Sequence, residues 1–318
     1  MPARPKLEVV VFTYNHEAFI ENTLNSVLAQ RTDFDISIRI HDDRSTDRTV
    51  DVVLATLAHS DIPWQLVEAP TNRYAGGTSF YHEFIAESVA EYAAILDGDD
   101  HWVDDSKLQR QVDLLDRHPR AALSHHPVLE LVDGELKPVD WPPPYARVEI
   151  MPGSQLSVQN VISSSSVVVR TSMFPKTMPG GYNELGVGDY PMWALASAGN
   201  DIAFIDRVMS AYRVHQSNIF ASLDWDQRFD RELEARIYIS NHVPEEFRAA
   251  WRQGIVSALQ YRFSVTESVP LQAQLAARTA ELEGARQETR ALLNSTSWRI
   301  TAPLRAVSSR VRRRPAES

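Results

Sequence analysis

The sequence predicts an α/β protein: a Rossmann-like, mostly parallel sheet with flanking helices, followed by a helical C-terminal extension. Short β-branched runs alternate with helical periodicity through the first 120 residues. The connections between them are short, as in strand–helix–strand units. From 224 to 268 the pattern turns helical.

Leu7–Phe12 (LEVVVF) is short and β-branched enough for a buried strand. Phe19, Ile20, Leu24, Val27 and Leu28 then share one helical face. Ile36–Ile40 is a second strand. Thr46 or Asp47 is placed to cap a helix carrying Val50, Val53, Leu54 and Leu57. Trp64–Val67 is a third strand, followed by a loop over Asn72–Gly77 and a helix to about Ala90. Tyr92–Leu96 is a fourth strand, and Ser106 opens a helix with Leu108, Val112 and Leu115. Ala121–Leu131 reads as extended, with a turn at Asp133–Gly134. A helix is expected from about Tyr190 to Ala198 and a strand near Ile202–Ile205. Residues 271–293 form a polar helix with Leu271, Leu275, Leu282, Ala285 and Leu292 near heptad spacing, and Arg278 in the seam. The organisation expected is a sheet domain over 1–222, a helical extension over 223–268, and a polar helix with a basic tail over 269–318.

The chain carries 32 Lys plus Arg against 42 Asp plus Glu, a net charge of −10, and no cysteine. Such acidity argues against nucleic acid as a partner. The absence of cysteine removes disulfides, thiolate nucleophiles and Cys-type zinc sites. No run approaches the ~20 apolar residues of a membrane-spanning helix. Met1–Lys6 does not open an apolar signal stretch. A soluble, cytoplasmic protein is the expectation. Seven arginines against one acid, Glu317, give residues 289–318 a charge of +6, so residues 1–288 carry −16.

In parallel sheets the ligand lies beyond the carboxyl ends of the strands. That rule selects Thr13–His16, His41–Ser45, Asn72–Gly77 and Asp97–Trp102. Asp97-x-Asp99 sets two carboxylates one residue apart where a strand opens, suited to a hard divalent cation such as Mg²⁺ or Mn²⁺. By itself the pair is equally at home in a solvated loop. Asp42-Asp43 forms a second acidic pair, suited to a ribose or base. Neither a Gly-x-Gly-x-x-Gly loop nor a Gly-Lys-Ser/Thr loop is present, which argues against a dinucleotide or P-loop cradle.

The segments VVVFTYNHEAFIENTLNSVLAQ, IRIHDDRSTDRTVDVV and YAAILDGDDHW, in that order and spacing, resemble inverting family 2 glycosyltransferases of the GT-A fold, bacterial surface-polysaccharide type, over about residues 6–220. The resemblance implies a nucleotide-sugar donor bound by Thr13, Tyr14, Asn15, Asp42 and Asp43. It implies ribose and metal contacts from Asp97 and Asp99, with Asp100 as a substitute ligand. His215, in Tyr212-Arg213-Val214-His215, corresponds to a downstream histidine that completes the metal shell or touches the diphosphate. Arg73 lies where a cation would meet the donor phosphates, or is a solvated loop charge.

Gly188-Asp189-Tyr190-Pro191-Met192-Trp193 resembles the family's catalytic-base segment and makes Asp189 the base, although Gly188 stands where relatives often carry a second acid. A helix N-cap is the competing role for Asp189. The helix dipole would lower its pKa, and desolvation would offset that. Trp102 and Trp193 are either acceptor-stacking platforms or core residues. The activity implied is metal-dependent sugar transfer to a glycan or lipid-linked hydroxyl with inversion. The competing class is a non-catalytic nucleotide-sugar-binding or membrane-associated assembly subunit.

Beyond 294 the segment from Asn294 to Arg305 resembles an element of surface-polysaccharide glycosyltransferases. Ile300, Leu304, Val307 and Val311 form a stripe among arginines, with Trp298 near its start. It reads as an amphipathic helix on the inner face of the plasma membrane, a helix docked on the acidic body, or a disordered tail. The 271–293 helix is a candidate for homo-oligomer contacts.

Overall fold

The computed structural model describes residues 4–73, 81–139, 141–215 and 223–294. The basic stripe from Trp298 to Val311 lies outside them, as does most of the Asn72–Gly77 loop. Four strands open the sheet: β1 (Leu7–Thr13), β2 (Ile36–Asp42), β3 (Trp64–Glu68) and β4 (Tyr92–Asp97). They lie parallel in the order β3-β2-β1-β4. The chain runs outward from β1 to β3 and then returns to the other side of β1. The β1/β4 boundary is therefore the topological switch point, where such sheets bind ligands. Helices α1 (Ile20–Leu28) and α2 (Thr49–Leu57) follow the first two strands, and α3 (Tyr81–Ala86) precedes β4. Helix α3 ends before the Ala90 that the periodicity suggests. Asp47 supports the start of α2: its Oδ1 accepts from the Thr49 N–H at 2.9 Å.

After β5 (His101–Trp102) and α4 (Lys107–Arg117) comes β6 (Ala121–His125). The hairpin of β7 (Val128–Val132) and β8 (Glu135–Pro138) turns at Asp133 and Gly134, both left-handed at φ 52° and 83°. The next strands are β9 (Ile150–Pro152), β10 (Val168–Arg170), β11 (Asp201–Phe204) and β12 (Ser210–Val214). The main sheet continues as β10-β6-β11-β9, with β10 antiparallel to β4 and β6. A second sheet runs β5-β12-β7-β8. It brings β12 beside β5, directly after Asp97–Asp100.

Alternation along β1 explains the layering. Val9 and Val11 point into a core with α1, α2 and α4, while Val10 and Phe12 join the opposite core. The second core takes in α5 (Asp189–Ala196), α6 (Trp225–His242) and the first part of α7 (Glu245–Asn294), through Trp193, Ala235, Ile239 and Trp251. The first compact unit accordingly runs to Ala258, past the boundary expected at 222, and a second unit spans Leu259–Ser318. In the second unit the backbone is helical to Asn294 and Leu282 is exposed. Among the described residues, no helix is long and apolar enough to cross a membrane.

Candidate active site

Sheet register sets the framework. Thr13 pairs with Asp42, Phe12 with Asp97, and Asp42 with Glu68, so the strand ends bring the first acidic residues side by side. The loop after β1 is held by the loop after β2. The Asn15 N–H donates to Ser45 Oγ at 2.9 Å, and Asn15 Oδ1 accepts from the Thr46 N–H at 2.7 Å. Asn15 takes a left-handed backbone at φ 53°, tolerable for asparagine. Asp42 is buried and accepts from the Ser45 N–H at 2.9 Å and from its hydroxyl. Asp43 is also buried and accepts from the Arg73 N–H at 2.9 Å. Tyr14 is 41% exposed and available to a flat ligand.

The Asp97–Asp100 turn is fixed from α1 and β12. Thr23 Oγ1 lies 2.7 Å from the Asp100 carbonyl and 2.9 Å from that of Gly98. The Arg213 N–H donates to Asp100 Oδ1 at 2.9 Å, and its guanidinium donates to the Asp99 carbonyl at 2.8 Å. Two imidazoles converge on Asp99. His215 Nε2 lies 2.9 Å from Asp99 Oδ2, and His16 Nε2 lies 3.9 Å from the same oxygen. Tyr81 donates to Asp97 Oδ1 at 3.2 Å. Burial, the neighbouring Asp99 charge and, more weakly, Asp189 push Asp97 up to about 7. Asp100 is raised by burial and by both other carboxylates.

Asp189 opens α5 as its first residue; the N-cap position is Gly188. Burial raises its pKa. Hydrogen bonds from the Tyr190 N–H at 2.7 Å and Ser164 Oγ at 3.4 Å, with the indole N–H of Trp193 nearby, pull the other way. Desolvation outweighs them, the direction a carboxylate base needs. Glu232 on α6 is raised by burial and by the Asp189 charge, opposed by Arg236, whose Nη2 lies 3.5 Å away.

Two expected acceptor contacts are not formed. Trp102 is 4% exposed, with its N–H on the Ser165 carbonyl at 3.1 Å, and Trp193 is fully buried. Neither indole presents a face to an acceptor. Both side with the core because their strand and helix faces point into the two packed layers. The Arg73 guanidinium is engaged by Glu83 in two hydrogen bonds of 2.8 and 3.0 Å. Sequence reasoning missed Tyr81, Arg213 and Glu232 as neighbours of the site, and took in His16 only as the end of the segment after β1. His16 and Arg213 at least stand inside quoted motifs.

Carboxylate and imidazole donors suit Mg²⁺ or Mn²⁺, and the mutual repulsion of Asp97, Asp99 and Asp100 favours a cation among them. Among the described residues no three such side chains converge as a closed metal site. Asp99 and His215 fit an open site whose other ligands are phosphate and water.

An open, mostly parallel sheet with acidic strand ends at its switch point, joined to a second sheet, is the arrangement of the GT-A fold. Residues 8–171 match the family model "Glycosyl transferase family 2", and the chain belongs to that family. An uncharacterised protein of Mycobacterium tuberculosis is 30% identical over 222 residues, which cover 70% of this chain and 62% of that protein. The chain thus spans less than two thirds of that relative's length. Among solved structures, S. aureus TarS 1-349 in complex with UDP-GlcNAc is similar with a TM-score of 0.60 at 19% identity, over 81% of this chain and 73% of that one. The mannosyltransferase PcManGT from Pyrobaculum calidifontis, in complex with GDP-Man and Mn²⁺, has a TM-score of 0.59 at 18% identity, over 96% and 85% of the two chains. At these identities the likeness concerns the fold.

Proposed function

We propose that the protein transfers a sugar from a nucleoside-diphosphate sugar to an acceptor hydroxyl with inversion, in the synthesis of a cell-surface polysaccharide or glycolipid. The carrying observation is the contact of His215 with Asp99 just after the β4 strand end, with Asp97 in electrostatic reach of both Asp99 and Asp189. Tyr14 and Asn15 border the nucleotide, while Asp42 and Asp43 shape its floor. Asp99 and His215 hold a divalent cation, with Asp97 alongside. When bound, the cation neutralises charge on the departing nucleoside diphosphate.

Asp189 accepts the proton of the acceptor hydroxyl as that oxygen attacks the anomeric carbon. The bond to the diphosphate oxygen breaks on the opposite face, and the electron pair leaves with the diphosphate. One base suffices for a single displacement, which inverts the centre. Asp189 is half-buried as a residue, at the first turn of α5. Self-association through 271–293 and membrane attachment through the tail belong to the same proposal. The exposed Leu282 supports the former.

A screen of nucleotide sugars by nucleoside diphosphate release, with Mg²⁺ and with Mn²⁺, tests the reading. Asp189→Asn is expected to lower turnover by about 10²–10⁴-fold while leaving cation-dependent nucleotide binding intact. Asp99→Ala is expected to lose both. Full turnover by Asp189→Asn removes the base assignment.

A further inference from the structure

Helix α6 opens on an aromatic pair that no role above uses. Trp225 and Phe229 stack with ring centres 5.6 Å apart and planes at 24°. Trp225 is 44% exposed and Phe229 half-buried, and among the described residues neither packs into the two cores. The first turn beneath them is fixed by a capping box. Asp224 Oδ1 accepts from the Gln227 N–H at 2.8 Å, and Gln227 Oε1 accepts from the Asp224 N–H at 3.0 Å. Trp225, Phe229, Glu232 and Arg236 recur at i, i+4, i+7 and i+11, which is one face of the helix. That face leads to the base. Glu232 has a side chain 34% exposed and lies close enough to Asp189 to feel its charge. Beside it, Arg231 Nη1 donates to the Gly186 carbonyl at 3.2 Å, and a Cβ on Gly186 would stand 2.8 Å from Arg231 Cδ. The chain that enters Asp189 therefore lies against α6 one residue from Glu232.

Resting on the transferase reading, we infer that this face of α6 is an acceptor subsite for two or more sugar rings: the terminal ring lies between Asp189 and Glu232, and the next stacks on Trp225. At 1.5 Å rise per residue, Phe229 and Trp225 stand roughly 5 and 10 Å along the helix from Glu232. A ring with its hydroxyl at Asp189 thus leaves the indole to the ring behind it. The chemistry selects a saccharide. A pyranose offers an apolar C–H face to an aromatic ring and hydroxyls to a carboxylate. An acyl chain would cover Trp225 as well, but it would desolvate Glu232 and Asp189 with nothing to satisfy them. The pair takes the stacking role that Trp102 and Trp193, both in the core, cannot fill.

Saturation-transfer NMR on the full chain, with methyl glycosides of neutral and N-acetylated mono- and disaccharides, reads binding directly. At least one disaccharide is expected to bind, and the matching monosaccharide about tenfold more weakly. Trp225→Ala is expected to bring that disaccharide down to the level of the monosaccharide, and Trp225→Tyr to keep most of the difference. No binding by any probe, equal binding of mono- and disaccharide, or an undiminished disaccharide signal in Trp225→Ala overturns the assignment. Calorimetry of UDP and GDP with Mn²⁺ runs alongside, with the same affinity expected for wild type and both variants. Nucleotide affinity lost with Trp225→Ala also overturns it, because the substitution then acts on the donor site or on the fold. A wild type that binds the disaccharide but neither nucleotide sinks the donor reading and leaves the aromatic subsite standing.

Discussion

Gly98 carries no chemistry of its own, yet the space between Asp97 and Asp99 admits only glycine. A Cβ at this position would stand 2.7 Å from Thr13 Oγ1 and 2.8 Å from His16 Nδ1. The close approach lets the β4 turn lie against the β1 turn, and it puts His16 beside Asp99. Gly98→Ala is expected to push these loops apart, costing about 1–3 kcal/mol of stability, the usual range for overpacking. It should also weaken UDP–Mn²⁺ binding about tenfold or more, because Asp99 and His16 separate. Urea denaturation and calorimetry check the two effects. Unchanged nucleotide affinity in a folded Gly98→Ala protein would show that the turn's spacing is irrelevant to the site.

Helix α1 acts as a jig for the acidic turn. Its apolar face is buried against the sheet, while Thr23 and Ser26 on the helix, and Gln30 just beyond its end, meet the chain after β4. Thr23 Oγ1 meets the Asp100 carbonyl, Ser26 Oγ accepts from the Trp102 N–H at 3.0 Å, and Gln30 Nε2 donates to the Asp104 carbonyl at 2.8 Å. Thr23→Val preserves shape and removes the donor. It is expected to cost about 1–3 kcal/mol, the penalty for an unsatisfied buried carbonyl, and to weaken nucleotide binding with it. Thr23→Ser should restore both, as denaturation and calorimetry on the pair would show.

The periodicity of α1 and the β-branched runs of β1 to β4 were legible because each is long enough to show its pattern. Strands β9 and β10, three residues each, were not: their extended backbone is imposed by antiparallel neighbours. The same division holds at the site. Asp97, Asp99 and Asp42 could be found because topology puts strand ends together. The engagement of Arg73 by Glu83, the burial of Trp102 and Trp193, and the approach of Glu232 to Asp189 depend on packing between distant segments, which no local pattern encodes.

At the scale of the whole molecule, the site is assembled against its own electrostatics. Asp97, Asp100 and Asp189 are all raised by burial, so the folded chain keeps protons that the unfolded chain has lost. Their contribution to stability is full below the ordinary carboxylate range and is lost progressively as pH climbs from that range to the folded values. For Asp97 that loss is complete near pH 7. Other buried groups act in the opposite sense. His16, His41, His82 and His126 are lowered by burial, so they add stability as pH rises toward 6.5 and nothing beyond it. Lys107, fully buried with its Nζ 4.3 Å from the Trp102 ring centre, is held well below its usual value and adds stability throughout the alkaline range.

A bare pH–stability curve therefore mixes signs, whereas the difference between wild type and Asp97→Asn isolates one carboxylate. The variant is expected to gain on wild type by about 1 kcal/mol per pH unit between about pH 4 and 7, approaching the limit of 1.4 for one proton, and the difference is expected to level off above pH 7. Urea denaturation at pH 5, 6, 7 and 8 measures it. Saturating Mn²⁺ with UDP should shrink the gain, because a cation beside Asp97 favours its ionised form. A difference that stays flat from pH 5 to 8 would mean that Asp97 ionises in the fold as it does in water, and the electrostatic case for a cation at this turn would fall with it.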